Sequence, residues 1–179
     1  RPNAYGLLGS FEPLISREYR LEVDERMDAD GNVVTALDED GVARAAQSLV
    51  EMGCESLVIH FLHAYANDAH EIRAAEIAAE VWPNEHITYG SAILAEFREY
   101  ERGVAAAVNA SIQPVLSRYL ARLRDELTTA GYDRDLLVMQ GNGGTVSSSI
   151  VAQSAINTVM SGPASGVMAA AYTGSRCGF

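Results

Sequence analysis

Lysine is absent: all 13 basic residues among the 179 are arginine. That absence removes a P-loop, whose lysine contacts the β- and γ-phosphates, and any Schiff-base step, which needs a side-chain amine. Positive charge is scarce as well. Twenty-four acidic residues leave a formal net charge of -11, which excludes non-specific nucleic-acid binding and disfavours anionic membrane surfaces. No apolar run reaches membrane-spanning length, and no signal peptide opens the chain. Cysteine is limited to Cys54 and Cys177, without metal-ligand spacing. Two lone buried thiols in a reducing, cytoplasmic compartment are the expectation.

Apolar residues make up 48% of the chain, enough for a sizeable core in one domain or in a piece of a larger one. There is no initiator Met, and the chain stops just after an apolar helical run. An internal excerpt of a longer protein is therefore expected. Tyr19, Leu21 and Val23 alternate with charged residues before Asp28-Ala29-Asp30-Gly31-Asn32, and Val33 to Leu37 is β-prone. This predicts a hairpin with a solvated acidic turn rather than a calcium loop. Asp38 or Asp40 caps a helix carrying Val42, Ala45, Ala46, Leu49 and Val50, which Gly53 ends. The run "ESLVIHFLH" predicts a buried strand, Asp68 to Val81 a helix capped by Asn67 and Asp68, and "HITYGS" a second strand. The order β-α-β implies an α/β fold with parallel strands and helices packed over them.

From Glu96 to Ala130 the pattern is helical, with Val104, Val108, Ile112, Leu116, Tyr119, Leu123 and Leu127 on one stripe. Pro114 predicts a kink or break, and Gly131 closes the helix. "DLLVMQ" reads as a third buried strand and "INTVM" as a fourth, short one.

Three groups of residues could carry chemistry. "MQGNGG" and "VMSGPASG" are strand ends running into glycine-rich turns, where backbone N–H groups can approach a ligand and a following helix adds its positive dipole end. Ser161 or Gly162 would cap that helix, with Pro163 in its first turn. A structural corner and an anion site both fit, and neither loop matches a standard nucleotide motif. His60, His63 and His70 lie close in sequence, but His60 and His63 fall on opposite faces of a strand. A structural role is expected over a metal site. In "AEFREYERG", Arg98 and Arg102 read either as solvated partners of Glu96, Glu99 and Glu101 or as forks for a carboxylate or phosphate.

Taken in order, "FLHAYANDAHE", "EFREYERG", "VNASIQPVLSRYL", "VMQGNGG" and "VMSGPASGV" resemble the hydantoinase A / 5-oxoprolinase family, which includes ATP-dependent N-methylhydantoinases and acetone carboxylase subunits. The resemblance spans Tyr19 to Ala171. The family's usual versions read Leu-His-Ser-Tyr and Met-Gln-Ser-Asn-Gly-Gly; here Ala64 and Gly141 stand in place of the two serines.

The resemblance implies part of an actin-like (ribonuclease-H-like) ATPase fold. Residues 1–99 would be the C-terminal part of the family's N-terminal domain and residues 100–179 the start of its main domain. It implies ATP with magnesium, whose ligands mostly lie outside this segment, as do both Asp-x-Gly-Gly-Thr phosphate loops. Asn142, Gly143, Gly144, Ser161, Gly162, Pro163, Ala164 and Gly166 become nucleotide-binding candidates, and His63, Arg98 and Arg102 substrate-binding candidates, with no metal held here. The implied activity is ATP-driven activation of the carbonyl of a cyclic amide, of hydantoin or 5-oxoproline type, for hydrolysis. A hydantoinase B-type partner subunit or domain is also implied. A ketone carboxylase subunit and a non-catalytic scaffolding segment are the alternatives.

Overall fold

The computed structural model describes residues 13–151 and 153–179. Residues 17–19 form a 3-10 turn, and the alternating stretch after it is extended without a ladder. Strand β1 (Arg26–Met27) pairs antiparallel with β2 (Val33–Thr35), so the expected hairpin is present but short. Asp28 organises its turn: the carboxylate accepts from the N–H groups of Asp30 and Asn32 at 2.9 and 2.8 Å and from the Asn32 amide. The Asn32 side chain holds the Asp28 carboxyl below its ordinary range. Gly31 supplies the left-handed residue, at φ 82°.

Helix α1 (Glu39–Glu51) starts as its sequence requires, with Asp38 accepting from the Gly41 N–H at 2.9 Å. It buries Val42, Ala46 and Leu49 and ends in a Schellman arrangement: Gly53 bonds back to Val50 and Cys54 to Leu49. Strand β3 (Leu57–Ile59), helix α2 (Ala69–Ala79) and strand β4 (Ile87–Tyr89) form the expected crossover. The strands are parallel, with Leu57 opposite Ile87 and Ile59 opposite Tyr89. Leu57 and Ile59 meet Val42, Ala46 and Leu49 of α1, and Ala74, Ile77 and Ala78 of α2. Trp82 completes this core.

A short helix α3 (Gly90–Ile93) leads to α4 (Glu99–Thr129), the 31-residue spine of the structure. Pro114 does not break it; one helix runs through that position. Nor is the apolar stripe its buried face. The side chains α4 buries are Arg102, Ala106, Asn109, Ala110, Gln113, Pro114 and Leu120, while Val104, Val108, Ile112 and Leu116 are half-buried and Tyr119 is exposed. Small residues let β4 and the later chain approach the helix closely. The larger apolar stripe flanks that contact.

Beyond Gly131 (φ 89°, closing α4 as expected) the architecture differs from the sequence reading. Strand β5 (Leu137–Met139) is not a buried member of the parallel sheet. It forms an antiparallel hairpin with β6 (Thr145–Ser147), and Leu137 is exposed. Gly143, at φ 85°, lets the chain reverse there. Helix α5 (Ser148–Val151) follows, and Ala155–Thr158 is a 3-10 turn rather than a fourth strand. Helix α6 (Ser161–Arg176) has Met160, not Ser161 or Gly162, as its N-cap. Met160 sits at φ 65°, and Pro163 lies in the first turn. No residue of α6 is buried. Among the described residues no helix is long and apolar enough to cross a membrane.

Candidate functional site

The carboxyl ends of β3 and β4 carry a cluster of charged side chains, the position where open α/β sheets hold ligands. Its members come from four elements: His60 and Phe61 after β3, Glu71 in the first turn of α2, Ser91 in α3, and Glu99 and Arg102 in the first turn of α4. Glu71 and Arg102 are both 0% exposed. Burying an unpaired charge is very costly, so the partners matter. The Glu71 carboxylate accepts from the Phe61 N–H at 2.9 Å and from the Ser91 N–H at 2.7 Å. Arg102 donates to the carbonyls of Glu96 and Phe61, both at 2.8 Å, and to the Glu99 carboxylate. Glu99 uses its other oxygen to accept from the His63 N–H at 3.1 Å.

His60 lies between the acids, its Nδ1 3.8 Å from Glu71 Oε1 and its Nε2 3.9 Å from Glu99 Oε2. Those separations are too long for hydrogen bonds. Burial, with the Arg102 charge second, lowers the His60 pKa despite the two carboxylates. The ring is neutral at pH 7. Space around it is tight: a Cβ on Gly90 would stand 2.8 Å from His60 Nδ1 and 3.2 Å from Glu71 Oε1.

Three of these bonds fall on the backbone of the loop after β3. Phe61 is held at both its N–H and its carbonyl, and His63 at its N–H, which fixes His63 in a left-handed conformation at φ 59°. A non-glycine residue held there is strained, and such strain collects at functional sites. His63 packs edge-on to Tyr65, whose ring lies 5.9 Å from the Arg102 guanidinium.

Of the three substrate-binding candidates, His63 is thus presented by a fixed loop. Arg102 sits in the same cluster, with Nη1 and Nη2 committed to protein oxygens and only Nε without a partner. Arg98 stands apart, at the N-cap of α4, exposed, 3.3 Å from Glu101 and over the Phe97 ring. His70 does not meet His63; its Nδ1 lies 2.8 Å from Glu25. Among the described residues no three His, Cys, Asp or Glu side chains gather as a metal site. The thiols also depart from expectation: Cys54 is only half-buried, with burial raising its pKa, and Cys177 is exposed.

The two glycine-rich segments meet. The Gly141 N–H donates to the Asn157 carbonyl at 2.7 Å, and a Cβ on Gly141 would come within 2.4 Å of the Val159 carbonyl oxygen. A 240 Å³ cavity lies between Gln140, Gly141 and Asn142 on one side and Ile156, Asn157 and Val159 on the other. The donors of the hairpin turn are mostly used internally: Gly143 N–H bonds to the Gln140 carbonyl and Gly144 N–H to Asn142 Oδ1 at 2.8 Å. The start of α6 is different. Among the described residues the N–H groups of Ser161 and Gly162 find no acceptor, Pro163 has none to offer, and Ala164 bonds back to Met160. A Cβ on Gly162 or Gly166 would meet nothing within 4 Å. Between Asp135 and Ser175 there is no basic residue, so any phosphate there would draw its counter-charge from elsewhere.

Asn109 was not among the residues singled out from the sequence, and the burial of Glu71 was not foreseen. A signal existed. Glu71 shares a helical face with Ala74 and Ala78, and Asn109 shares one with Ala106 and Gln113, so both sit on faces that pack inward.

Two family models match the chain: the hydantoinase/oxoprolinase N-terminal region over residues 1–82, and hydantoinase/oxoprolinase over residues 102–179. The chain belongs to the hydantoinase/oxoprolinase family. It is 37% identical over 175 residues to an uncharacterized protein of Methanocaldococcus jannaschii, covering 96% of this chain and 25% of that protein. It is 32% identical over 172 residues to the acetophenone carboxylase gamma subunit of Aromatoleum aromaticum, covering 93% and 23%. The crystal structure of an ATP-dependent caprolactamase from Pseudomonas jessenii superposes with a TM-score of 0.83 at 27% identity, covering 95% of this chain and 25% of that one. The α/β fold read from the sequence agrees with that likeness. The chain spans about a quarter of the length of these relatives.

Proposed function

We propose that this chain is a segment of an ATP-dependent enzyme that opens a cyclic amide, of hydantoin or 5-oxoproline type, by ATP-driven activation of the amide carbonyl. The observation that carries the reading is the superposition, over 95% of the chain, on a protein whose stated activity is ATP-dependent cleavage of a lactam. Transfer of the γ-phosphoryl group of ATP to the amide oxygen would release ADP and leave an electrophilic carbon. One water adds there, and the ring C–N bond breaks with the nitrogen taking a proton. A second water cleaves the resulting acyl phosphate to carboxylate and inorganic phosphate. Residues 1–99 are read as the end of the N-terminal domain and residues 100–179 as the start of the main domain of an actin-like ATPase. The medium is cytoplasmic, and a hydantoinase B-type subunit or domain is the partner.

In this account the nucleotide lies beside the start of α6. The N–H groups of Ser161 and Gly162, free among the described residues, the Gly162 and Gly166 positions, uncrowded by them, and the positive end of a 16-residue helix suit a phosphate oxygen. Pro163 and Ala164 shape that first turn. Asn142, Gly143 and Gly144 border the site through side chain and shape, since the Gly143 and Gly144 N–H groups are already bonded. Magnesium would be held by oxygen ligands mostly from outside this segment. His63, set by its strained loop, and Arg98, with its exposed fork, are the residues on this chain read as facing the organic substrate, with Arg102 fixing the loop beneath.

The full-length protein, given ATP and magnesium with hydantoin, 5-oxoproline, caprolactam or acetone plus bicarbonate, tests this by ADP release. Release stimulated by a cyclic amide is expected. Release with the ketone alone would replace the reading by ketone carboxylation, for which the acetophenone carboxylase likeness speaks. The isolated 179-residue chain is expected to show no ATP turnover. Magnesium-dependent turnover lost in Gly143→Val would overturn that.

A further inference from the structure

Asn109 lies in the middle of α4 and is 0% exposed. A buried primary amide must be satisfied at both ends. Its Nδ2 donates to Thr88 Oγ1 of β4 at 3.1 Å, and its Oδ1 accepts from the Ile156 N–H at 3.0 Å, 47 residues further along the chain. Gln113, one turn on, stands 3.4 Å from the same Thr88 hydroxyl. Ala106 and Ala155 are fully buried and Ala110 nearly so, where α4, β4 and the 3-10 turn converge. Ile156 belongs to the turn whose next residue, Asn157, takes the Gly141 N–H. Three residues after Asn157 comes Met160, the left-handed cap of α6.

We propose that Asn109 is a positioning residue that sets both glycine-rich segments against the sheet. One side chain fixes the Ala155–Thr158 turn on α4. That turn fixes Gly141 on one side and the first residues of α6 on the other. No charged group takes part, so the device is directional hydrogen bonding, which an apolar side chain of equal size cannot reproduce. The functional half of the proposal rests on the nucleotide reading above.

The test uses the full-length protein with Asn109→Leu and Asn109→Asp. Leucine keeps the volume and loses both bonds; aspartate, which burial without a cation keeps protonated, retains an acceptor for the Ile156 N–H and a donor to the Thr88 hydroxyl. Hydrogen exchange at Ile156 and Gly141 is expected to speed up at least tenfold in Asn109→Leu and to be largely restored in Asn109→Asp. The KM for ATP is expected to rise about tenfold in the leucine variant, while the KM for the organic substrate stays within twofold. A general loss of fold would move both. Unchanged exchange at Ile156 and Gly141 in the leucine variant overturns the inference. Faster exchange with an unchanged ATP KM leaves the positioning role standing and overturns the placement of the nucleotide at these segments instead.

Discussion

Before α4 the chain buries Glu71 and, with the first turn of α4, Arg102, and satisfies both with backbone groups of Phe61, Ser91 and Glu96 and with the Glu99 carboxylate. After α4 the pattern reverses: α6 buries nothing, and the first N–H groups of that helix are free among the described residues. The first region spends the charges of Glu71 and Arg102 on its own shape. The second has kept its donors available. A loop held by buried charges is a rigid platform, suited to presenting His63. A helix start with open space at Gly162 can accept a ligand from outside. Under the proposed function the two regions therefore play different parts.

The largest expected effect strikes the first region. Arg102→Met leaves the Glu96 and Phe61 carbonyls and Glu99 without their donor, and removing one member of a buried charged group costs about 3–5 kcal/mol. Native-state hydrogen exchange at the amides of β3 and α2 reads this as a loss of local opening free energy. A loss below 1 kcal/mol would show that the cluster does not hold the region. Gly90→Ala is next: its Cβ would crowd His60, Glu71 and Arg102, and overpacking of this kind costs about 1–3 kcal/mol.

Acidity separates the regions further. His60 has a folded pKa below its ordinary value, so the unfolded chain binds the proton more readily. Stability is then full above an unfolded pKa of about 6.5 and falls as pH drops below it, toward the folded pKa. Exchange at Phe61 and Ser91 should speed up across that window, and His60→Gln should remove the dependence. Equal acid sensitivity in the variant would assign it to other groups. Smallest of all, Val167→Ser on exposed α6 should change the opening of its own helix by no more than about 0.5 kcal/mol in either direction. A loss near that of Arg102→Met would mean that α6 is buried in the full protein.

The same contrast explains what could be read from residues alone. The crossover was legible because Leu57, Val58 and Ile59 form a continuous apolar run flanked by helices with clear punctuation: Asp38 at one start, Gly53 and Gly131 at two ends. The burial of Glu71 and Arg102 was not, because a charged residue in a helix's first turn ordinarily faces water. Nothing local announces that a loop from another element will consume it. Thr145-Val146-Ser147 is too short to carry a pattern that reveals a strand, so the hairpin is not legible in the residues. The stripe on α4 misled for the opposite reason. Its large apolar residues suggested the buried face, while the close contact is made by alanines around Asn109. For the site, the order of the motifs carried more than any one of them: His63 and the α6 start were both named, but the internal bonding of Gly143 and Gly144 needed coordinates.

The most direct test is nucleotide binding by Gly162→Val in the full-length protein. Among the described residues a Cβ at this position meets nothing within 4 Å, so the substitution leaves the packing between them undisturbed while placing a branched side chain where a phosphate would approach the Ser161 and Gly162 N–H groups. The account predicts an ATP Kd raised at least tenfold, with the thermal midpoint within about 2 °C of the parent, as for a surface substitution of under 0.5 kcal/mol. A variant that binds ATP as tightly as the parent would contradict it.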